Sequence, residues 1–255
     1  APRIGVAKAV TAGPTNNRNG TYSLTYRILV SNSGDVPVNN VQVTENLLGT
    51  FVGAPGFTVT SPVGTGLAPN PAFNGTTNTN LLAGTNTLAV GASARVDLQV
   101  TVTPGAKLGP YANSATGTAT SAGGLPISDV SAAGAVPDAN GNGNPGDDST
   151  PTSITFSEAP RIGVAKAITA GPTNNGNGTY TLTYRILVAN SGDVPVNSLQ
   201  VTDNLAATFV GSGGFSVTAP PGSGLTPNPA YNGTSNTNLL AGTNTLAVGA
   251  TGTVD

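Results

Sequence analysis

The stretch TYSLTYRILVSNSGDVPVNNVQVTENL, residues 21–47, decides the fold of this chain. From Tyr22 to Val30 every second residue is apolar or aromatic, and the residues between them are mostly polar. Such alternation is typical of a β-strand with one buried face. Ser33-Gly34-Asp35 supplies turn chemistry after this strand. A second alternating run follows the turn, so two strands and a tight loop predict the seed of a β-sandwich. The second run consists of Val41, Val43, Glu45 and Leu47.

The same stretch returns at residues 179–205 as part of a long internal repeat. Residues 1–97 align with residues 159–255 without a gap at an offset of 158, with 21 mismatches, so 97 − 21 = 76 positions are identical. A period of this length indicates whole domains in tandem, not a solenoid of roughly 20–50-residue repeats. We therefore predict a complete domain at 1–158, including an Asp/Asn/Gly-rich loop at 129–150, and the first part of a second domain after it.

The second unit ends at the position aligned with Asp97, in the middle of a predicted strand. A sandwich cut at this point would expose its apolar interior and an open strand edge. We expect the natural protein to continue beyond this sequence, or another chain to supply the missing strands.

The remainder of the first unit predicts further short strands separated by turns, and no window shows a convincing helical period. The predicted fold class is all-β: tandem antiparallel immunoglobulin-like β-sandwich repeats, the second of them truncated. The further predicted strands are residues 3–11, 50–60, 81–90, 94–102, 111–120 and 152–156, with a long loop at 62–80.

The composition excludes several classes of function. The chain contains no cysteine and no histidine, which removes disulfides, Cys- or His-based zinc sites and Ser-His or Cys-His nucleophiles. We therefore expect neither an enzyme nor an organic cofactor. A net charge of −2 without a Lys/Arg cluster argues against nucleic-acid binding. No apolar run approaches the ~20 residues of a membrane helix, so we expect no membrane insertion in this segment.

Four segments together resemble a known family: VAKAV in the first strand, YTLTYRILVANSGDVPVNSLQVTDNL, LAVGASARVDLQVTV and NSATGTAT. The chain resembles the repeats catalogued as domain of unknown function eleven, which occur in tandem in large prokaryotic cell-surface proteins. The similarity covers nearly the whole 158-residue unit. The resemblance implies a β-sandwich fold and an extracellular, cell-surface location, with other repeats of the same protein as neighbours.

Three polar residues occupy positions that strand alternation assigns to the core: Lys8, Glu45 and Asn113. Burying a lone charge costs several kcal/mol, so a buried lysine needs a partner. One solution is chemical: a neutral lysine amine attacks the asparagine carboxamide while a protonated carboxylic acid polarises the carbonyl and shuttles protons, which forms an isopeptide bond. The alternatives are an ordinary hydrogen-bonded trio or strand ends that reach solvent. In the second unit Lys166 and Asp203 occupy the matching positions of the lysine and the acid.

A second candidate site is the loop that begins at Asp138. Oxygen-bearing side chains at its positions 1, 3 and 5, with glycine at 6, resemble the start of a calcium loop. The usual glutamate at position 12 is absent, since Ser149 stands there, so another acid (Asp129 among the choices) would have to complete the ligand set. The alternative is a solvated linker that uses Asn and Gly for turns. The predicted ligands of calcium, the one cofactor suggested, are Asp138, Asn140, Asn142, Asp147 and Asp148.

These features favour a structural protein: an extracellular fibre, filament or stalk on a prokaryotic cell, stabilised by isopeptide bonds and by calcium. An adhesin or glycan-binding module, using residues 62–80 as a contact loop, is the alternative from another class. A passive spacer within a large secreted enzyme is a third. A binding role predicts loops that differ between repeats, yet residues 81–91 are identical to residues 239–249.

Overall fold

The computed structural model describes residues 1–255 and divides into two units, residues 1–157 and 158–255. The division falls one residue before the predicted boundary. No helix has the length and apolar character needed to cross a membrane. The first unit contains β1 (Ile4–Asn16), β2 (Tyr22–Asn32), β3 (Val38–Glu45), α1 (Leu47–Thr50), β4 (Gly56–Val59), β5 (Val63–Thr65), β6 (Ser93–Thr103), β7 (Tyr111–Asn113), β8 (Ala115–Ser121), β9 (Pro126–Val130), β10 (Ala132–Ala133), a 3-10 turn (Pro145–Asp147) and β11 (Thr152–Ile154).

Two main sheets enclose the core of the first unit. The larger has the order β10-β1-β2-β6-β4, with β5 also paired to β6, and the smaller has the order β3-β8-β9. Strands β11 and β7 form a separate two-stranded sheet. Apolar side chains from both main sheets form one continuous cluster, which makes the unit a sandwich. The prediction of an all-β, antiparallel, immunoglobulin-like sandwich is confirmed, with one parallel pair, β1-β10, added.

The central strand β2 shows why the opening stretch of sequence is decisive. Its residues alternate strictly between buried and partly exposed along all 11 positions. β1 pairs with one edge of β2 and β6 with the other, both antiparallel. Because every second side chain of β2 enters the core, its register fixes the faces that β1 and β6 present.

Strand β1 is buried on both faces at its start. Residues 4–8 are all buried, although the alternation of the sequence predicts only one buried face. A side chain at Gly5 would meet Pro137 and Pro145, each at 2.8 Å, so the long loop after β10 covers the outer face here. On the inner face Gly117 of β8 makes room for Val6, since a Cβ at that glycine would lie 2.5 Å from a Val6 methyl.

A β-bulge in β3 keeps its apolar residues on the buried face where the sequence breaks the alternation. Val38 and Val41 are both buried although they are three residues apart. Asn40 lies between them with φ +53°, and the pairing with β8 shifts at this point. Ser198, the aligned residue of the second unit, has the same φ. The bulge places Val41, Val43 and Glu45 on the buried face, as the second alternating run predicts.

The predicted strand at residues 50–60 is wrong in its first half. The chain forms α1 and then β4, because the side chain of Asn46 accepts a hydrogen bond from the Gly49 amide (2.9 Å) and caps a single helical turn. The predicted strand at 81–90 is also wrong. Leu82 and Leu88 are buried core residues that form only isolated bridges.

The predicted loop at 129–150 begins too early. Asp129 and Val130 belong to β9, an additional strand at the edge of the smaller sheet. Its alternating burial was masked in the sequence by Pro126 and by the polar residues around it. The loop proper follows β10.

The second unit forms one sheet from its long hairpin and two short strands. Its elements are β12 (Ile162–Asn174), β13 (Tyr180–Asn190), α2 (Leu205–Thr208), β14 (Gly222–Ser223) and β15 (Thr251–Val254), in the sheet order β12-β13-β15-β14. Val164, aligned with the fully buried Val6, is 57% exposed. The residues that cover β1 in the first unit lie in 111–157, and their aligned positions fall beyond residue 255.

The paired valines give a matched test of this difference. Val6→Ala should lower the free energy of unfolding of the first unit by about 2 kcal/mol, because it removes buried methyl groups and leaves a cavity. Val164→Ala should change the stability of the second unit by less than about 0.5 kcal/mol, as exposed substitutions do. Urea denaturation followed by far-UV circular dichroism measures both. Equal effects of the two substitutions would contradict the described packing.

Candidate site of an intramolecular cross-link

The three predicted residues Lys8, Glu45 and Asn113 are all fully buried in the first unit. Lys8 lies in β1, Glu45 is the last residue of β3 and Asn113 is the last residue of β7. Each strand therefore contributes one polar side chain to the same interior, and the expectation that all three face the core is confirmed. The alternative that they reach solvent at strand ends is wrong.

Lys8 and Glu45 form a buried ion pair. The Lys8 ammonium donates a hydrogen bond to Oε2 of Glu45, and neither side chain has any exposed surface. Nζ of Lys8 also lies 4.5 Å from the centre of the Tyr26 ring, a distance at which the ring face attracts a cation. The Lys8 carbonyl is fixed separately, since it accepts hydrogen bonds from the Thr152 hydroxyl (2.6 Å) and the Gly134 amide (2.8 Å).

Burial moves both members of the pair toward their neutral forms. Loss of solvent lowers the pKa of Lys8 to about 8, although attraction to Glu45 opposes the change. Loss of solvent likewise raises the pKa of Glu45, opposed by Lys8 and by the Asn113 amide. A proton therefore passes from the lysine to the acid at a lower cost than it would in water. The products of this transfer are a neutral amine and a protonated carboxylic acid.

The Asn113 amide is held at one end only. Its Oδ1 accepts a hydrogen bond from the Thr50 hydroxyl (2.9 Å), whereas its Nδ2 is buried without a hydrogen-bond partner. Oε1 of Glu45 and the hydroxyl of Tyr26 are buried and unpaired as well. Asn113 nevertheless lowers the pKa of Glu45 and of Tyr26, which places the amide beside both. Burial dominates at Tyr26 and raises the pKa of its hydroxyl.

Unpaired buried polar atoms are costly, and this concentration of them is informative. Four such side-chain atoms occur in the chain, and three of them belong to this cluster. A buried donor or acceptor without a partner costs about 1–3 kcal/mol, so an ordinary hydrogen-bonded trio would satisfy them. The arrangement instead leaves an amide nitrogen and a carboxyl oxygen free, which are the groups that a condensation of amine and amide would use.

The second unit retains the first two residues of the cluster in a more open setting. Nζ of Lys166 lies 2.6 Å from Oδ2 of Asp203, with 32% and 17% of the respective side chains exposed. The ring of Tyr184 lies 4.2 Å from the same Nζ, as Tyr26 does with Lys8. The aligned partner of Asn113 falls beyond residue 255. Lys166 and Asp203 thus pair within these residues without an amide acceptor.

Sequence reasoning missed two members of the cluster, Tyr26 and Thr50. Tyr26 occupies a core position of β2, where its aromatic body already accounts for its burial. Thr50 gave no signal, because it was assigned to a strand and in fact ends the single turn of α1. Only the capping of that turn by Asn46 could have indicated its position.

The predicted calcium ligands come together in one loop but do not form a group of three acidic side chains able to hold a metal. Asp138 accepts hydrogen bonds from the Asn142 and Gly143 amides (3.1 and 2.7 Å). Asp147 accepts them from the side-chain amides of Asn142 (2.8 Å) and Asn140 (3.4 Å). The ligand types suit calcium, and each carboxylate oxygen that accepts an amide hydrogen bond keeps a second lone pair. Calcium binding at this loop stays a prediction.

Asp129, considered as a further calcium ligand, takes no part in the hydrogen bonds within the loop of residues 138–148. It is 4% exposed, and its Oδ2 accepts the Val6 amide at 2.6 Å, which ties β9 to β1 outside the regular ladders. Burial and the nearby charge of Asp148 raise the pKa of Asp129 to about 6, against the lowering effect of backbone hydrogen bonds.

This raised pKa predicts a specific pH dependence. The folded state binds a proton at Asp129 more readily than the unfolded chain, so the carboxyl favours folding most below about pH 4 and loses that contribution as the pH rises through about 6. Asp129→Asn imitates the protonated acid. Its free energy of unfolding relative to the parent should therefore increase between pH 4 and pH 7. Urea titrations of both proteins, without divalent cations, measure the difference, and a constant difference would contradict the expectation.

Four aromatic residues of the first unit pack in its core. Tyr22, Phe51, Tyr111 and Phe156 are buried and pack together, with ring centres 4.8 Å apart for Tyr22 and Phe156 and 5.3 Å apart for Phe51 and Tyr111. Tyr22 also donates a hydrogen bond to the carbonyl of Ser157 (2.5 Å). These rings stabilise one end of the core.

Comparison with known proteins gives only distant likenesses. No protein family matches the chain, and no curated protein does. A solved GH20 exo-β-N-acetylglucosaminidase mutant of Vibrio harveyi is 12% identical, with TM-score 0.31, covering 63% of this chain and 20% of that one. BcpA, the major pilin subunit of Bacillus cereus, is 10% identical, with TM-score 0.38, covering 80% of this chain and 61% of that one. A variant of the same pilin is 9% identical, with TM-score 0.37, covering 80% of this chain and 61% of that one. The chain thus spans less than two thirds of each, and these likenesses are too distant to say what it does.

Proposed function

We propose that the chain is a structural repeat protein of an extracellular fibre, filament or stalk at a prokaryotic cell surface, strengthened by an isopeptide bond between Lys8 and Asn113. One observation carries the proposal: a lysine, an acid and an asparagine from three strands are fully buried together, with the amide nitrogen and one acid oxygen unpaired. The tandem, 76-of-97 identical units support repetition along an array. Other repeats of the same protein are its expected partners.

The proposed bond has a mechanical purpose. Lys8 lies in the first strand and Asn113 in a late one, so the bond would close most of the unit into a covalent loop. Pulling on the chain would then load a covalent bond rather than a ladder of hydrogen bonds. By the entropy model used for disulfides, a loop of this size stabilises the folded state by ~4–5 kcal/mol. The bond needs no oxidant, which suits a chain without cysteine.

The reaction follows from the protonation states described above. Lys8 gives its proton to Glu45, and the neutral amine attacks Cγ of Asn113. Glu45 then passes a proton to Nδ2, which leaves as ammonia, and takes one from the former amine. The new bond joins Nζ of Lys8 to Cγ of Asn113, and the bond from Cγ to Nδ2 breaks. Glu45 is left protonated, and it returns to the carboxylate when it gives this proton to the released ammonia, which departs as ammonium.

Intact mass spectrometry tests the bond directly. The folded chain should weigh about 17 Da less than its sequence mass, because one ammonia is lost. Glu45→Ala should restore the full mass, since the proton shuttle is gone. Glu45→Asp is the matched control, because Asp203 occupies this place in the second unit, and it should keep the mass deficit. Tryptic peptides should locate the link between the segments containing Lys8 and Asn113.

An unshifted mass in folded protein would contradict the proposed bond. The second unit serves as an internal reference, since peptides containing Lys166 should be recovered without a link to another segment of this chain. A link found at Lys166 instead of Lys8 would also contradict the assignment.

The adhesin or glycan-binding alternative has less support. Residues 81–91 and 239–249 are identical, and the preceding loops differ by little, so the contact loops are not diversified. The buried aromatic rings offer no exposed stacking surface. Uniform loops suit contacts repeated along a fibre.

Calcium binding at the loop of residues 138–148 stays a separate prediction of the sequence. It requires calcium to be coordinated by the carboxylates of Asp138 and Asp147, which now accept hydrogen bonds from amides of the loop. If it does so, millimolar calcium should raise the melting temperature by mass action, and a chelator should reverse the change. Asp138→Ala should abolish the response. Isothermal titration without heat at millimolar calcium would leave a loop closed by its own amides.

A further inference from the structure

The residue with the least expected position in the cluster is Thr50. It ends α1, and its hydroxyl oxygen lies 3.1 Å from the Asn46 carbonyl and 2.9 Å from Oδ1 of Asn113. Both of these oxygens accept hydrogen bonds and donate none, so the single hydroxyl proton of Thr50 must serve them. The shorter contact is the one to the side chain of Asn113.

We propose that Thr50 is a catalytic residue of the cross-linking reaction, donating a hydrogen bond to the oxygen of the Asn113 carbonyl as negative charge develops on it. The inference rests on the proposed isopeptide bond. When the amine of Lys8 adds to Cγ, the C=O electron pair moves to Oδ1, and a fixed donor at that oxygen stabilises the intermediate. The pair returns when the C–Nδ2 bond breaks and ammonia leaves. Thr50 keeps its own proton throughout.

The hydrogen bond also orients the amide. Because Thr50 holds Oδ1, Nδ2 must point to the opposite side, where it is buried without a partner and beside Glu45. The leaving nitrogen thus faces the acid that protonates it, and the oxygen faces a donor. A flipped amide would present its NH₂ to the hydroxyl and remove the donor from the developing charge.

The local fold holds Thr50 firmly enough for this role. The side chain of Asn46 caps α1 through the Gly49 amide (2.9 Å). The next residue, Phe51, is buried and packs edge-on against Tyr111, two residues before Asn113, at 5.3 Å between ring centres. The turn that carries the hydroxyl is therefore attached to the strand that carries the amide. A donor on a rigid element needs little reorganisation during reaction.

The second unit provides a comparison within the same chain. Between α1 and α2 the sequence changes from LLGT to LAAT, so the two middle residues differ while the threonine stays, as Thr208. The hydroxyl of Thr208 bonds to the Asn204 carbonyl at 3.3 Å. Thr208 therefore has the helix contact of Thr50 without the contact to an asparagine side chain.

The test compares Thr50→Val, Thr50→Ser and Thr208→Val with the parent, each as the full chain made by cell-free synthesis and weighed at intervals. Thr50→Val keeps the shape and removes the donor, so the loss of ammonia should slow by about 100-fold, the effect of removing one such donor elsewhere. Thr50→Ser and Thr208→Val should react at the parent rate. The serine rescue separates donation from packing, and Thr208→Val is the control that removes a threonine hydroxyl from a helical turn outside the cluster.

The outcomes separate the two proposals. A parent chain that never loses ammonia overturns the isopeptide bond itself. A parent and a Thr50→Val chain that react at the same rate overturn only the role of Thr50. Glu45→Ala and Glu45→Ala/Thr50→Val cannot react, and the double variant should have the lower urea midpoint, because valine leaves Oδ1 of Asn113 without its donor. A Thr50→Ser chain that reacts as slowly as Thr50→Val would show a merely structural threonine and overturn the inference.

Discussion

The burial of one charged pair governs the first unit. Lys8 and Glu45 have no exposed surface, and removing both charges from water is costly unless each is paired and hydrogen-bonded, as they are here. The surrounding packing keeps them buried, since β1 is covered on both faces, Gly117 approaches Val6 closely and Thr152 binds the Lys8 carbonyl. The burial of the pair also makes the later part of the unit indispensable, since β7 to β11 close the space around the pair.

The alternation of apolar and polar residues predicted most of this architecture, because successive side chains of a strand point to opposite faces and the apolar face is the one that is buried. The faces of β2, β3 and β6 follow from period-two patterns, and so does the entry of Lys8, Glu45 and Asn113 into one core. The failures occurred where local side-chain bonding overrides the pattern. Asn46 caps a helical turn at Leu47–Thr50, so the predicted strand at 50–60 begins only at Gly56. The leucines at 81–90 reach the core from an irregular segment.

The remaining members of the site illustrate a different limit. Tyr26 resembles any buried aromatic residue in the sequence, and only its distance to Lys8 reveals that it faces a cation. Thr50 becomes relevant because α1 brings it to an asparagine 63 residues later in the chain. Alternation assigns a residue to a face of a strand, but it does not show which atoms of different strands meet.

The position of Lys8 and Glu45 in the chain also determines when, during synthesis, the proposed bond can form. Lys8 is translated early and meets Glu45 37 residues later, but its amide acceptor follows only near the end of the fold. During synthesis the first hairpin therefore emerges before the strands that cover it in the folded unit. A lysine waiting in that state remains hydrated and protonated, and hence unreactive. Chemistry at this position would begin only after water has been expelled, so covalent closure would record that the individual repeat had finished folding.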